Sequence, residues 1–352
     1  MIKVLIVDDS VLVQQVLKDI VSEDPMIEVV GTVSSGKSAL ELIPNLEPDV
    51  ITLDLNMPDM DGREVLQQIM LEQPTPCLII SKSTHLGTQS AFEALDLGAV
   101  DFIGKPGKRE IDPTLEWVKE EIKEKVRAAH GVNIPALLKQ YRNRSILSRK
   151  LKKKPDSEHY NQTVIVIGVS TGGPKTLPDF LPQLTENISC PIVVFQHIPE
   201  GFSADLAKRL DVICSMPVKE ANHRETLLAG TVYIAPGGKN LTVKEINGEV
   251  TIKVTEATSC NPPDINLGFN SFSQVFGPKT IGIILTGMGD DGSEGLATIR
   301  RAGGYTIAQD PETAILDGMP KSAIRRAAAH DIVTVEQIAP KIEKYLKGSA
   351  NG

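Results

Sequence analysis

Ser170, His197 and the neighbours Asp290 and Asp291 are the residue types from which a hydrolase can be built, and each follows an apolar run that ends in glycine or a turn. Ser170 lies in Gly168-Val-Ser-Thr-Gly-Gly-Pro174, after Thr163-Val-Ile-Val-Ile167 and before a helical pattern. A hydroxyl at a strand-to-helix exit sits at the carboxyl edge of a parallel sheet, where N–H groups of the next helix converge on developing negative charge. It still needs a base and an orienting acid. Beyond Thr163 the only histidines are His197, His223 and His330, and His197 directly follows the run Ile192 to Gln196. His223 in a polar loop and His330 near the last strand read as surface residues. The acid comes from Asp290 or Asp291 in Leu285-Thr-Gly-Met-Gly-Asp-Asp-Gly292. Spacing alone leaves both open: one carboxylate can reach the imidazole while the other caps the following helix.

A second group is acidic. Asp8 and Asp9 end the first strand pattern, Asp54 ends the third, and Lys105-Pro106 follows the fifth. In a doubly wound sheet these ends meet at one edge, where three carboxylates repel one another unless a hard cation such as Mg²⁺ is bound. The plainer role for any one of these aspartates is helix capping, which does not account for the set with its lysine.

The elements that must position these groups alternate along the chain. Strand patterns at Lys3–Val7, Glu28–Val33, Val50–Leu53, Cys77–Ile80 and Val100–Ile103, with intervening helices and a last helix from Pro113 to about Ala129, predict a parallel doubly wound α/β domain. Trp117 is expected to pack in that helix. From Gly131 to Gln162 the strands stop and Arg142, Arg144, Arg149, Lys150, Lys152, Lys153 and Lys154 crowd together, which reads as a solvated basic linker with a possible amphipathic helix over Pro135–Leu151. A second alternation follows, with strands at Thr163–Ile167, Ile192–Gln196, Thr231–Ile234, Leu241–Ile246, Val250–Val254, Thr280–Leu285 and Tyr305–Ala308. Helices follow Pro174, Phe202, Asp264, Gly292 and Pro320, and Asn247-Gly248 predicts a β-hairpin in a mostly parallel sheet.

At 352 residues the chain is long enough for two domains, and 41% hydrophobic with 23% charged residues is a globular composition. A net charge of -8 argues against a general DNA binder, and no helix-turn-helix pattern appears. The chain shows no signal-peptide pattern and no run long enough to insert in a membrane. Cys77, Cys190, Cys214 and Cys260 form no C-x-x-C pair, which disfavours a zinc site or disulfide framework and suits a cytoplasmic protein. The loop around Ser170 lacks both G-x-G-x-x-G and G-K-[ST], so a nucleotide loop is disfavoured.

The segments Val7-Asp-Asp-Ser10, Leu53-Asp-Leu-Asn-Met-Pro58 with Asp61-Gly62, Ser81 and Gly98-Ala-Val-Asp-Phe-Ile-Gly-Lys-Pro106 resemble the response-regulator receiver family. The resemblance implies that Asp54 accepts phosphate from a chemotaxis histidine kinase, with Mg²⁺ held by Asp8, Asp9 and Asp54. It further implies that Lys105 and Ser81 contact the phosphoryl oxygens and that Phe102 moves with the switch. Asn56 occupies a position that varies among receivers.

Gly168-Val-Ser-Thr-Gly-Gly-Pro174, Gln196-His-Ile-Pro199, Ala235-Pro-Gly-Gly238, Leu285 to Gly292, Gln309-Asp310 and Gly318-Met-Pro320 resemble the catalytic domain of the chemotaxis protein-glutamate methylesterase (CheB) family. The implied roles are nucleophile for Ser170, base for His197, acid for Asp291 through the pattern Gly-Met-Gly-x-Asp-Gly, and oxyanion support from Met288. The Thr171 N–H, next to the nucleophile, is the physical choice for a further donor, and Thr171 is also a candidate to orient His197. The chain departs from the family at Lys82, at Asn240 and in Pro263-Asp-Ile-Asn266, where Pro-Ser-Val-Asp is usual. The expected organisation is a receiver over 1–125, a basic linker over 126–162 and a methylesterase over 163–347. The expected function is demethylation of glutamate γ-methyl esters on chemoreceptors, with deamidation of specific glutamines. The esterase chemistry needs no cofactor, and the receiver is expected to cover the esterase cleft until Asp54 is phosphorylated. The competing expectation is a receiver-controlled regulator or scaffold without enzymatic output.

Overall fold

The two large sheets of the chain are parallel, and both send their candidate site residues to the carboxyl edge. The computed structural model describes residues 1–81, 85–105, 114–142, 163–188, 190–257 and 262–349. The chain divides into two compact units, Met1–Arg144 and Ser145–Gly352.

The first unit runs β1 (Ile2–Val7), α1 (Val11–Ser22), β2 (Ile27–Val33), α2 (Gly36–Leu46), β3 (Val50–Asp54), α3 (Gly62–Glu72), β4 (Cys77–Ser81), α4 (His85–Asp96), β5 (Asp101–Gly104), α5 (Thr114–His130) and α6 (Ile134–Arg142). Its five strands lie in the order β2-β1-β3-β4-β5. Near-continuous Val, Ile and Leu in β1, β3 and β4 reflect burial on both faces, which a sheet between two helical layers requires. Ser10, Ser35 and Asp61 cap α1, α2 and α3 with their side chains, so the polar residue after each strand also starts the next helix. The register pairs Val7 with Leu53, Asp54 with Ile80 and Ser81 with Gly104. Asp8, Asp54, Ser81 and Lys105 therefore emerge at one edge.

Helix α5 continues through residue 125, where the sequence placed the domain's end, and α6 occupies part of the expected linker. The helix expected to reach Leu151 is described as far as Arg142. The basic run from Arg144, the Trp117 side chain, Lys82, Pro106 and Cys260 lie outside the described residues or side chains.

The second unit runs β6 (Val164–Val169), α7 (Gly173–Asn187), β7 (Ile192–Gln196), α8 (Ser203–Ile213), β8 (Val218–Glu220), β9 (Val232–Ile234), β10 (Lys239–Ile246), β11 (Glu249–Glu256), α9 (Ile265–Phe276), β12 (Thr280–Ile284), α10 (Ser293–Arg301), β13 (Tyr305–Gln309), α11 (Gly318–Arg325), β14 (Asp331–Val333) and α12 (Val335–Ser349). Seven parallel strands follow the order β14-β13-β12-β6-β7-β9-β8. The mostly parallel sheet with a hairpin insertion that the sequence predicts is found as seven parallel strands, with the antiparallel β10–β11 hairpin forming its own two-stranded sheet. The hairpin turns at Asn247 and Gly248, both at positive φ, as an Asn-Gly turn requires. Strands β8 and β14 escape the sequence reading because each has three residues, too few to show a period.

Helix α9 packs its apolar face against the hairpin's Leu241, Val243, Val250 and Ile252 and against Phe195 of β7, in one core cluster. Phe195 meets Phe269 and Phe272 edge-on at 5.9 and 6.1 Å. A Cβ at Gly268 would lie 2.2 Å from the Phe195 ring. Among the described residues no helix is long and apolar enough to cross a membrane.

Gly268→Ala tests this packing by its sign. Inside a helix the change ordinarily stabilises by about 1 kcal/mol. Overpacking against Phe195 is expected to reverse that and cost about 1–3 kcal/mol, read from the urea transition of the second unit. A more stable variant would contradict the close approach of α9 to β7.

Candidate active site

The order β12-β6-β7 sets three strand exits side by side, and one candidate residue leaves each. Val169 pairs with Gln196 and Ile284 with Gly168, so Ser170, His197 and the loop after β12 start level with one another. The Ser170 N–H donates to the Thr286 carbonyl at 3.0 Å, and the Gly173 N–H closes a turn onto the Ser170 carbonyl at 2.8 Å. Gly172 takes a positive φ of 80°, and a Cβ on Gly173 would lie 2.0 Å from Gln196 Oε1. The two glycines thus permit a bend that other residues could not make.

His197 Nδ1 is 3.1 Å from Ser170 Oγ, and His197 Nε2 is 2.9 Å from Asp291 Oδ2. The ring nitrogens are therefore exchanged relative to the familiar serine triad, in which Nε2 faces the serine. The reason is the strand order. His197 leaves β7 beside β6, so its near nitrogen meets Ser170, while the far nitrogen reaches the loop after β12. With Asp291 accepting at Nε2, the proton sits there and Nδ1 is left to accept from the seryl hydroxyl.

Asp291 is the acid that meets the imidazole. Its carboxylate also accepts from the N–H groups of Ile265 at 2.9 Å, Asn266 at 3.0 Å and Gly292 at 2.8 Å. Burial opposes its ionisation, but His197 and the N–H groups of Ile265 and Asn266 outweigh that and hold the carboxyl below the ordinary range. Asp290 is exposed, with Arg326 3.6 Å away. The sequence reading had the spare aspartate cap the following helix. Instead α10 has no side-chain cap, Asp290 contributes only its carbonyl to the Ser293 N–H, and Asp291 accepts from the first two N–H groups of α9.

Thr171 does not orient His197 by a hydrogen bond. Its carbonyl accepts from Thr286 Oγ1 at 3.0 Å, and the ring is held by Asp291. Its N–H, like those of Gly172 and Met288, has no acceptor among the described residues. Met288 follows Gly287, whose added Cβ would lie 2.8 Å from Ser170 Cβ, so that loop's backbone runs against the nucleophile. Unclaimed N–H groups beside a serine at a helix N-terminus can receive an oxyanion.

Two glutamines went unassigned in the sequence reading. Gln196 Nε2 donates to the carbonyls of Ser170 and His197, both at 2.9 Å, and Gln309 Oε1 accepts from the Thr286 N–H at 2.9 Å. Their only signal was a polar side chain ending an apolar strand. His223 and His330 are exposed and occupied elsewhere, accepting from the Val254 N–H and facing Thr306 Oγ1 respectively. The departures Asn240, Asp264 and Asn266 meet at the start of α9: Asn240 accepts from the Asp264 N–H, Asp264 caps the helix, and the Asn266 N–H goes to Asp291.

In the first unit Lys105 Nζ bridges Asp54 Oδ2 at 2.7 Å and Asp8 Oδ2 at 2.9 Å, with both aspartates buried. Burial, opposed by Lys105 and reinforced by Asp8, raises the Asp54 carboxyl above its usual range. Burial disfavours the Lys105 ammonium, yet its bonds to Asp54 and Asp8 win and its pKa is raised. Asp9 is exposed, and one oxygen from each of Asp8, Asp9 and Asp54 falls within 4.8 Å of the others. Asp8 Oδ2 is buried without a hydrogen bond and meets Lys105 as an ion pair alone. These hard oxygens fit Mg²⁺. A groove of about 420 Å³ beside them is lined by Asp9, Leu55, Asn56, Met57, Pro58 and Asp61. The Ser81 hydroxyl donates to the Gly87 carbonyl of α4 at 2.8 Å. Phe102 is buried, edge-on to Phe92 at 5.5 Å, with Lys125 Nζ donating to its carbonyl.

Comparison with known proteins agrees with both halves. The CheB methylesterase family matches residues 165–342 and the response regulator receiver domain matches residues 4–113. A protein-glutamate methylesterase/protein-glutamine glutaminase of Carboxydothermus hydrogenoformans is 41% identical over 98% of this chain and 99% of its own. One from Archaeoglobus fulgidus is 39% identical over 99% of each. The crystal structure of the Thermotoga maritima CheB methylesterase catalytic domain covers 52% of this chain and 98% of its own, at 39% identity and a TM-score of 0.50.

The lowered Asp291 carboxyl makes a stability prediction. Its stabilisation is present above the ordinary value of 3.8 and is lost as pH falls through the lower folded value. Asp291→Asn is therefore expected to lower the thermal midpoint most at neutral pH, with the gap to the parent narrowing as pH falls below 3.8 and through the lower folded value. A gap independent of pH would show that the carboxylate is not held in this way.

Proposed function

The chain belongs to the CheB methylesterase family and carries a response regulator receiver domain ahead of the esterase, and we propose that it demethylates glutamate γ-methyl esters and deamidates specific glutamines on methyl-accepting chemoreceptors in the cytoplasm. The observation that carries this reading is the line from Ser170 Oγ through the His197 ring to Asp291, at 3.1 and 2.9 Å, beside unclaimed N–H groups. A purely regulatory output, the other expectation, leaves that assembled line unexplained.

In the proposed reaction Ser170 Oγ attacks the ester carbonyl carbon as His197 Nδ1 takes its proton. The N–H groups of Thr171 and Met288 receive the oxyanion. Collapse of the tetrahedral intermediate breaks the acyl–oxygen bond of the ester, or the acyl–nitrogen bond of a glutamine, and Nδ1 returns the proton to the departing oxygen or nitrogen, which leaves as methanol or ammonia. Water, deprotonated by the same nitrogen, then attacks the acyl-enzyme and releases a glutamate carboxylate with Ser170 restored. Asp291 remains ionised, fixes the tautomer and steadies the imidazolium.

The same proposal makes Asp54 the phosphoryl acceptor from a chemotaxis histidine kinase. Asp8, Asp9 and Asp54 would hold Mg²⁺, which supplies charge neutralisation for the phosphoryl oxygens. Lys105 then exchanges its hold on Asp54 for a phosphoryl oxygen. Ser81 gives up the Gly87 carbonyl to do the same, and Phe102 responds to that movement. Phosphorylation is thus the condition under which the esterase runs at its full rate.

Ser170→Ala is expected to lower methanol release from methylated receptor membranes by roughly 10⁴-fold, or to background. Near-parental turnover would end the serine mechanism. Asp291→Asn is expected to be severe and Asp290→Asn mild, and the reverse order would overturn the assignment of the acid.

Asp54→Ala is expected to keep basal esterase activity and to lose stimulation by a small phosphodonor with Mg²⁺. Stimulation that persists in this variant would reject Asp54 as the control point.

A further inference from the structure

Helix α9 begins with three successive N–H groups, and two different carboxylates take them. Those of Ile265 and Asn266 go to Asp291, and that of Leu267 goes to Asp264 Oδ1 at 2.7 Å. The Asp264 N–H is itself held at 2.9 Å by Asn240 Oδ1, on a side chain that is 3% exposed. One helix end therefore carries two negative groups, and one of them is the acid behind His197.

A helix N-terminus favours such charge, but two carboxylates sharing it also repel. The groups that face Asp264 can be named. Asp291, from the loop after β12, shares the helix end with it, and His197, at the exit of β7, is bonded to that carboxylate. The β10 contact is the neutral Asn240, and α9 itself has no charged residue. Helix α10, packed on α9, carries the exposed Glu294 in its first turn, and Lys239 beside Asn240 pairs with Glu256 at 3.3 Å. Burial first, and the Asp291 charge, hold the Asp264 carboxyl above its usual range, while the Leu267 N–H and His197 pull it down.

We propose that Asp264 is a positioning residue of the hydrolytic site: its cap holds the start of α9 against Asp291, and its charge joins that of Asp291 in steadying the His197 imidazolium. This rests on the reading of His197 as the base. The cap acts through geometry, since a frayed first turn would withdraw the Ile265 and Asn266 N–H groups that orient Asp291. The charge acts through space, and its effect is largest when the seryl proton is on the ring. Asp264 thus acts on His197 without touching the substrate.

Asp264→Asn separates the two effects, because asparagine caps about as well as aspartate but carries no charge. In the full-length protein the His197 Cε1–H resonance, assigned by its loss in His197→Gln, is expected to titrate at lower pH in Asp264→Asn, by about half a unit. The acid limb of kcat/KM for methanol release should move the same way. Asp264→Ala also removes the cap and should lower kcat several-fold with KM unchanged, and the asparagine variant should recover most of that loss. A His197 titration in Asp264→Asn that superposes on the parent's overturns the charge role. Parental kcat in Asp264→Ala overturns the cap role. The resonance is read without turnover, so a parent that releases no methanol while the titration still moves would refute the proposed function and leave this inference standing.

Discussion

The carboxylate of Asp291 is the joint on which the hydrolytic half of the chain depends. It takes hydrogen bonds from Ile265, Asn266 and Gly292 and meets His197, so its acceptor sites are almost all committed. A half-buried carboxylate needs such partners to stay charged, and here they come from a loop, a helix end and the His197 ring. The same contacts set the histidine tautomer and anchor α9. Chemistry and folding therefore make the same demand on Asp291: it must be charged and it cannot rotate.

That joint exists only because β6 lies between β12 and β7. In a parallel sheet every strand delivers its following residue to the same edge, and level register brings three such residues within side-chain reach. Close approach then falls to small residues. A side chain at Gly168 or Gly292 would strike Ile265 and Ile284, one at Gly287 would strike Ser170 and Met319, and one at Gly173 would strike Gln196. Gln196 adds a tie of its own, with one buried amide holding the backbone of both Ser170 and His197.

The receiver applies the same geometry to a different electrostatic problem. Two buried aspartates at neighbouring strand ends repel, and Lys105 offsets them by bridging both. A third carboxylate, Asp9, remains exposed at the rim of this cluster. Ser81 and Phe102 face the α4 side, the hydroxyl on Gly87 and the ring on Phe92. Changes at Asp54 can therefore reach α4 through contacts that already exist.

Much of this was legible in the chain. Apolar runs ending in Ser170, His197, Asp8 and Asp54 marked the strand exits, because a parallel strand is buried along its length and turns polar only where it leaves the sheet. Asn247-Gly248 marked the hairpin. The three-residue strands β8 and β14 were not legible, since neither carries a periodic signal of its own. The sequence by itself determined the residue types, the two α/β units and the edge at which chemistry would occur. Only the tertiary structure decided that Nδ1 faces Ser170, that Asp291, which spacing left level with Asp290 and the family resemblance favoured, reaches the ring, and that Asn240, Asp264 and Asn266 converge on one helix end. The reason is that spacing along a chain says which residues leave a sheet together, whereas strand order and loop packing decide which atoms of them touch.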